Sequence, residues 1–263
     1  MSAVTRLFLL LLCLVPTAHA QEIVALNTRP GVTQSFFIAN MGAVKPEAAA
    51  LLFIGGGGYI RLRMEDGQPK FGAQNFLPRS RAEFIRNGIL PVIMENPSDQ
   101  QGHEGMNDAF RVGNQHAADI RAVVAEVKRR YPGLPVFLVG TSRSTISVAY
   151  LGRAFGDEVA GVVLSSSLFY AGRRSALAGF DFSSVKAPLL FVHHREDVCE
   201  STPYTDADRL GAKFPLISVK GGKPPESGPC EPFAPHGYWG KEPETVDAIV
   251  AWMLKKPYRT DID

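Results

Sequence analysis

An α/β fold with a mostly parallel central sheet and helices on both faces is predicted by three features of the sequence. Short aliphatic and β-branched runs recur along the chain, amphipathic helical patterns separate them, and no repeat or linker divides the series. The runs at 48–54, 90–94, 136–139, 161–164, 188–192 and 216–219 are each bounded by Gly, Pro or polar turns. Continuous apolar runs of this length mark strands covered on both faces. Ahead of them, 23–26 and 35–39 flank Pro30-Gly31 and predict an antiparallel hairpin.

Helices fill the crossovers. Segment 114–130 sets Ala117, Ile120, Val124 and Val127 at helical spacing, with Asp119, Arg121, Glu126 and Lys128 on the other face, and Pro132 stops it. Segments 80–87 and 144–155 are further helices, and 244–254 forms a closing helix on Val246, Ile249, Val250 and Trp252. The stretch 165–187 is too short for a large helical cap, so an open site is expected. The sequence therefore predicts a single α/β domain over 21–263.

The first twenty residues have the pattern of an export leader. Arg6 provides the positive charge, 7–15 the apolar run, and Ala18-His19-Ala20 a small-x-small cleavage site. That apolar run is less than half of the roughly 20 residues that span hydrocarbon, so no stable membrane anchor is expected. Cys13 leaves with the leader, and a periplasmic or secreted protein beginning near Gln21 follows. Cys199 and Cys230 then remain as an even pair in an oxidising compartment, the pattern of a disulfide. Closing that loop would add roughly 3 to 4 kcal/mol on the chain-entropy model.

A formal charge of +2 over 263 residues excludes a broad electrostatic footprint for nucleic acid. The short basic clusters at 128–130, 173–174 and 255–256 are solvated faces. No group of residues has zinc or calcium spacing, so neither a metal nor a cofactor is expected.

The strongest chemical signal lies where the run 136–139 meets Gly140-Thr141-Ser142-Arg143-Ser144 and a helix follows. A serine hydroxyl is a poor nucleophile unless it stands exposed at a sharp turn beside a base. A strand-turn-helix elbow provides that exposure and aims the helix N-terminus at developing negative charge. A Ser/Thr-rich helix cap would use the same residue types. Ser144 stands where such an elbow usually has its second glycine.

On Gly140 to Ser144, and on the order of elements over nearly all of 21–263, the chain resembles the α/β-hydrolase superfamily. Within it the chain looks like small exported bacterial serine hydrolases with a Gly-Thr-Ser-Arg elbow. The resemblance implies an acid after a later strand and a histidine after the last. His236, in the turn-rich 234–240 before the closing helix, fills the second place. His193 and His194 precede the acid and break the Ser, Asp, His order. His116 is expected at the surface or at a helix start, and His103 beside the pocket. Asp197 follows the run 188–192 and fills the place of the acid, with Glu196 and Glu200 as neighbouring carboxylates. The Cys199–Cys230 bridge would tie the acid's loop to the segment before the base. After the run 48–54 come Gly55-Gly56-Gly57-Gly58, where backbone N–H groups can approach an oxyanion without a Cβ in the way. Gly57 or Gly58 would give one donor and Arg143 the other. A phosphate loop is disfavoured, because no Gly-Lys-Ser/Thr follows. Phe110-Arg111 is expected at the pocket rim.

The expected activity is cleavage of a carboxylic ester, a thioester or an amide through an acyl-enzyme on Ser142, with a small-molecule or lipid-like acyl substrate. Two alternatives stand beside it: an exported binding protein that keeps the fold without turnover, which Ser144 favours, and an acyltransferase with the same triad.

Overall fold

The computed structural model describes residues 21–72, 74–171 and 174–263; the leader assigned to 1–20 lies outside them. Among the described residues nine strands form one sheet. They are β1 (Glu22–Arg29), β2 (Val32–Ile38), β3 (Ala48–Phe53), β4 (Ile89–Met94), β5 (Val136–Thr141), β6 (Gly161–Ser165), β7 (Leu189–His194), β8 (Leu216–Val219) and β9 (Asp261–Ile262). Their order across the sheet is β1-β2-β4-β3-β5-β6-β7-β8-β9, antiparallel through β1, β2 and β4 and parallel from β4 onward. Helices α1 (Phe76–Arg79), α2 (Arg81–Arg86), α3 (Asp108–Arg111), α4 (Asn114–Arg130), α5 (Ser144–Phe155), α6 (Tyr204–Gly211) and α7 (Glu242–Met253) connect and cover them.

Alternation along each inner strand divides the core in two. Ala49, Leu51 and Phe53 of β3 face one way with Val136 and Leu138 of β5, against Ile120, Val123, Val124 and Val127 of α4 and Val148 and Leu151 of α5. Ala48, Ala50 and Leu52 face the other way with Phe137 and Val139, against Phe84 of α2 and Val246, Ile249 and Met253 of α7. Two covered faces account for strands that read as unbroken apolar runs.

The chain passes from β3 to β4 on one side and then crosses back to β5 on the other, so β3 pairs with both. Its reversal leaves a crevice beyond the carboxyl ends of β3 and β5, where Phe53 lies opposite Gly140. Open α/β sheets bind ligands at such a point.

Departures from the expected elements have local causes. The closing helix starts at Glu242 because Pro243 sits in its first turn, where its missing N–H is no loss. Helix α6 escaped the pattern because Ala207 alone among its residues is fully buried. The small hairpin 63–70 turns on Asp66-Gly67, both at positive φ, a signal present in the sequence. Strand β7 extends through His193 and His194, both buried. At the chain's end, β9 lies along β8: Ser218 N–H donates to Thr260 O at 2.8 Å, Lys220 N–H to Ile262 O at 2.7 Å, and Ile262 is buried.

Between β6 and β7 the described residues hold a two-residue ladder and two short 3-10 turns, so no lid domain covers the sheet rim. No described helix is long and apolar enough to cross a membrane.

Candidate active site

The turn from β5 into α5 puts Ser142 at φ +56°, a left-handed conformation that serine adopts at a cost of order 1 kcal/mol or more. Packing on three sides holds it there. Its N–H donates to Ser165 O at 2.9 Å, and its carbonyl accepts from Thr145 N–H at 2.9 Å and from the Thr145 hydroxyl at 2.5 Å. Gly55 lies against it: a Cβ there would stand 2.8 Å from Ser142 Cβ. Ser142 Oγ has no hydrogen-bond partner among the described residues, which leaves it free for an imidazole or a substrate. Ser144 is buried and accommodated, its hydroxyl donating to Phe53 O at 2.6 Å and accepting from Thr141 N–H at 2.9 Å. The hydroxyl that departs from the elbow pattern thus ties β3 to β5.

Beyond β7 and β8, Asp197 and His236 meet. Asp197 Oδ2 lies 2.9 Å from His236 Nδ1, and both side chains are buried. The same oxygen accepts from the Thr202 hydroxyl at 2.8 Å, and Oδ1 accepts from Cys199 N–H at 3.0 Å. A carboxylate fixed by these donors fixes the imidazole that faces it. His236 sits in a 3-10 turn, and Tyr238 follows in a left-handed conformation. Its buried hydroxyl donates to Val192 O at 2.7 Å and accepts from Ser166 N–H at 3.1 Å. The Ser166 hydroxyl donates to His236 O at 2.9 Å. Consecutive residues at the end of β6 therefore hold the two predicted partners, Ser165 the backbone of Ser142 and Ser166 that of His236. Arg79 braces the turn from outside, donating to Gly237 O at 2.9 Å, pairing with Glu242 at 2.8 Å and lying over Phe233 and Trp239.

The disulfide joins Cys199 to Cys230 across 31 positions. It begins two residues after Asp197 and ends six before His236. Replacing both cysteines with serine is expected to lower stability by about 3 to 4 kcal/mol. Equilibrium unfolding in urea measures this as a lower midpoint.

The glycine loop is held by its carbonyls. Gly55 O accepts from Gly58 N–H at 3.1 Å, Gly56 O from Arg111 Nη2 at 2.9 Å, and Gly57 O from Met106 N–H and Asn96 Nδ2, each at 2.9 Å. The N–H groups of Gly56, Gly57 and Arg143 have no partner among the described residues. Of the two loop donors predicted, Gly58 is corrected: its N–H closes the turn, and its φ of +88° packs it against Asn96 and Arg111. Glu95 anchors the following segment, accepting from the N–H groups of Ile60, Leu62 and Asn96.

The other histidines have different tasks. His193 Nε2 accepts from Ser167 N–H at 2.8 Å while the ring stacks on Phe169. Burial pushes its pKa down to about 3. His194 spans backbone, with Nε2 near Gly221 O and Nδ1 accepting from Glu196 N–H, and burial lowers it too. His116, expected near the surface, is buried between Phe53 and Phe110 with its pKa pushed down to about 3, because the start of α4 faces the core. Arg111 is likewise buried rather than at a rim. His103 lines a cavity of about 150 Å³ with Tyr59, Arg61 and Glu95. In the folded state His116 and His193 stay neutral well below the ordinary value of 6.5, so the unfolded chain binds more protons there. Stability present above pH 6.5 is therefore lost as pH falls, by roughly 1 kcal/mol per histidine per pH unit. Urea midpoints measured from pH 7 to 5 are expected to fall accordingly, and less steeply in His116→Leu.

Thr202, Tyr238, Arg79 and Ser165-Ser166 were not singled out from sequence. They are ordinary residue types whose roles arise from three-dimensional neighbours, and no local pattern marks them. Among the described residues no group of three or more His, Cys, Asp or Glu could hold a metal ion.

No family model matches the chain, and no curated protein is similar to it in sequence. Solved structures are similar in shape. An α/β serine hydrolase without a lid from Xanthomonas campestris matches at 15% identity and TM-score 0.57, over 92% of this chain and 96% of that one. Est1E of Butyrivibrio proteoclasticus matches at 13% identity and TM-score 0.59, over 89% and 98%. A soluble variant of monoglyceride lipase from Saccharomyces cerevisiae, in complex with a substrate analog, matches at 12% identity and TM-score 0.60, over 91% and 96%. With so few shared residues the likeness rests on the path of the backbone, and by that path and its strand order the chain has the α/β-hydrolase fold.

Proposed function

We propose that the protein is a serine hydrolase that cleaves a carboxylic ester or thioester through an acyl-enzyme on Ser142. The observation that carries this reading is the buried Asp197–His236 pair, fastened through Ser165-Ser166 to a serine in left-handed conformation at a strand-helix turn. Ser142 Oγ attacks the carbonyl carbon, and His236 Nε2 takes its proton and later hands it to the leaving group. Asp197 keeps the proton of the neutral imidazole on Nδ1 and stabilises the imidazolium. The Gly57 and Arg143 N–H groups receive the oxyanion. Esters and thioesters are preferred over amides because an alkoxide or thiolate leaves more readily than an amine.

The neighbours support the reaction class, since one is described as a serine hydrolase and another as a monoglyceride lipase. The disulfide supports an oxidising compartment, in keeping with a leader at 1–20 and a periplasmic or secreted location. Ser144, the feature that favoured a binding protein without turnover, fits the elbow through its own hydrogen bonds.

A fluorophosphonate probe tests the proposal. The expected result is one adduct per chain on Ser142, absent in Ser142→Ala and slowed in His236→Ala. A folded protein that stays unlabelled would refute it.

A further inference from the structure

Arg111 ends α3, and its guanidinium is buried beneath the glycine loop. It donates to Gly56 O at 2.9 Å, to the Ser147 hydroxyl at 3.2 Å and to Met106 O at 3.2 Å. All three acceptors are neutral. No carboxylate contacts it among the described residues, because Asp108 pairs instead with Arg143 at 2.8 Å. Burial first, and then the nearby Arg143, push its pKa down to about 9 against the weaker opposing pull of Asp108, still two units above neutral pH, so the charge persists. Burying a charge with no carboxylate in direct contact is costly. Folding around it is explicable where a negative charge arrives later.

Gly56 O and the Gly57 N–H belong to one peptide group. In a trans peptide they point in opposite directions, so a cation on the oxygen lies on the far side from whatever the N–H meets. Withdrawing electron density at the oxygen strengthens the donor at nitrogen, the cooperative effect that links hydrogen bonds in series. Gly57 O is also held, by Met106 N–H and Asn96 Nδ2, which fixes the plane of the next peptide.

We propose that Arg111 is a positioning residue that orients and polarises the Gly56–Gly57 peptide, making the Gly57 N–H a stronger oxyanion donor. This rests on the reading of Ser142 as the acylated nucleophile. The effect belongs to the transition state, where the substrate carbonyl becomes an oxyanion, and not to ground-state binding.

The test compares Arg111→Gln, Arg111→Met and Arg111→Lys on a p-nitrophenyl ester, with kcat expressed per site titrated by fluorophosphonate so that misfolded protein is not counted. In the Gln and Met variants kcat is expected to fall about 10- to 100-fold with KM within about threefold of wild type, and Lys to recover part of the loss. Inhibition by a trifluoromethyl ketone, whose adduct carries an oxyanion, is expected to weaken in parallel. A kcat per titrated site within about twofold of wild type, or an unchanged ketone affinity beside a lowered kcat, overturns the inference. The wild-type protein gives a second readout independent of how the variants fold: ketone binding is expected to move the Gly57 amide proton downfield, and an unmoved proton overturns the inference. An unlabelled wild type would instead remove the serine-hydrolase reading, and this inference with it.

Discussion

Replacing Ser142 with alanine is expected to lower kcat for ester hydrolysis by about 10⁶-fold, the scale seen when a triad serine is removed from a serine protease. The fold should survive the change. Ser142 Oγ makes no hydrogen bond among the described residues, and the turn is held through the Ser142 backbone, by Ser165 O and by the Thr145 N–H and hydroxyl. Alanine meets the same left-handed backbone as serine, so no new strain is introduced at φ +56°. Near-wild-type circular dichroism and urea midpoint, together with lost turnover in a stopped assay, are the expected pair of results. Turnover within tenfold of wild type would place the nucleophile elsewhere.

The second large effect is expected at Asp197. Asparagine there keeps the volume but turns one oxygen into an NH₂ donor. Whichever way the amide turns, one of two arrangements suffers. With nitrogen at Oδ2 the group faces the Thr202 hydroxyl and His236 Nδ1, and the imidazole is driven to carry its proton on Nε2, where it cannot accept from Ser142. With nitrogen at Oδ1 it opposes Cys199 N–H instead. A loss of about 10⁴-fold in kcat is expected, comparable with the same change in a Ser-His-Asp protease. Because proton acceptance fails and not binding, KM should change little. A kcat reduced less than tenfold would assign Asp197 a structural task.

How far the sequence reveals this molecule follows from what each element depends on. Helices 114–130 and 144–155 were legible to the residue because their apolar faces repeat with the helical period over several turns. The inner strands were legible because both faces are covered, which leaves an unbroken apolar run. Helix α6 was not, since it lies on the outside with a single fully buried residue. At the candidate site, chain order and flanking turns pointed to Ser142, Asp197 and His236, and the structure brings Asp197 and His236 into contact. Arg111 and His116 were misplaced for one reason. A charged or polar residue in an amphipathic stretch reads as exposed, and its burial depends largely on Gly56, Ser147 and Phe53, which are distant in sequence. Gly58 was misassigned as a donor because four identical residues carry no record of which N–H closes the turn.

The two residues of β9 protect the sheet out of proportion to their length. Strand β8 would otherwise present a bare row of parallel-strand amides and carbonyls to solvent, a ready template for pairing with another molecule. Trimming the chain at Arg259 should therefore lower solubility before it lowers catalysis, with sedimentation showing self-association while turnover per active site persists.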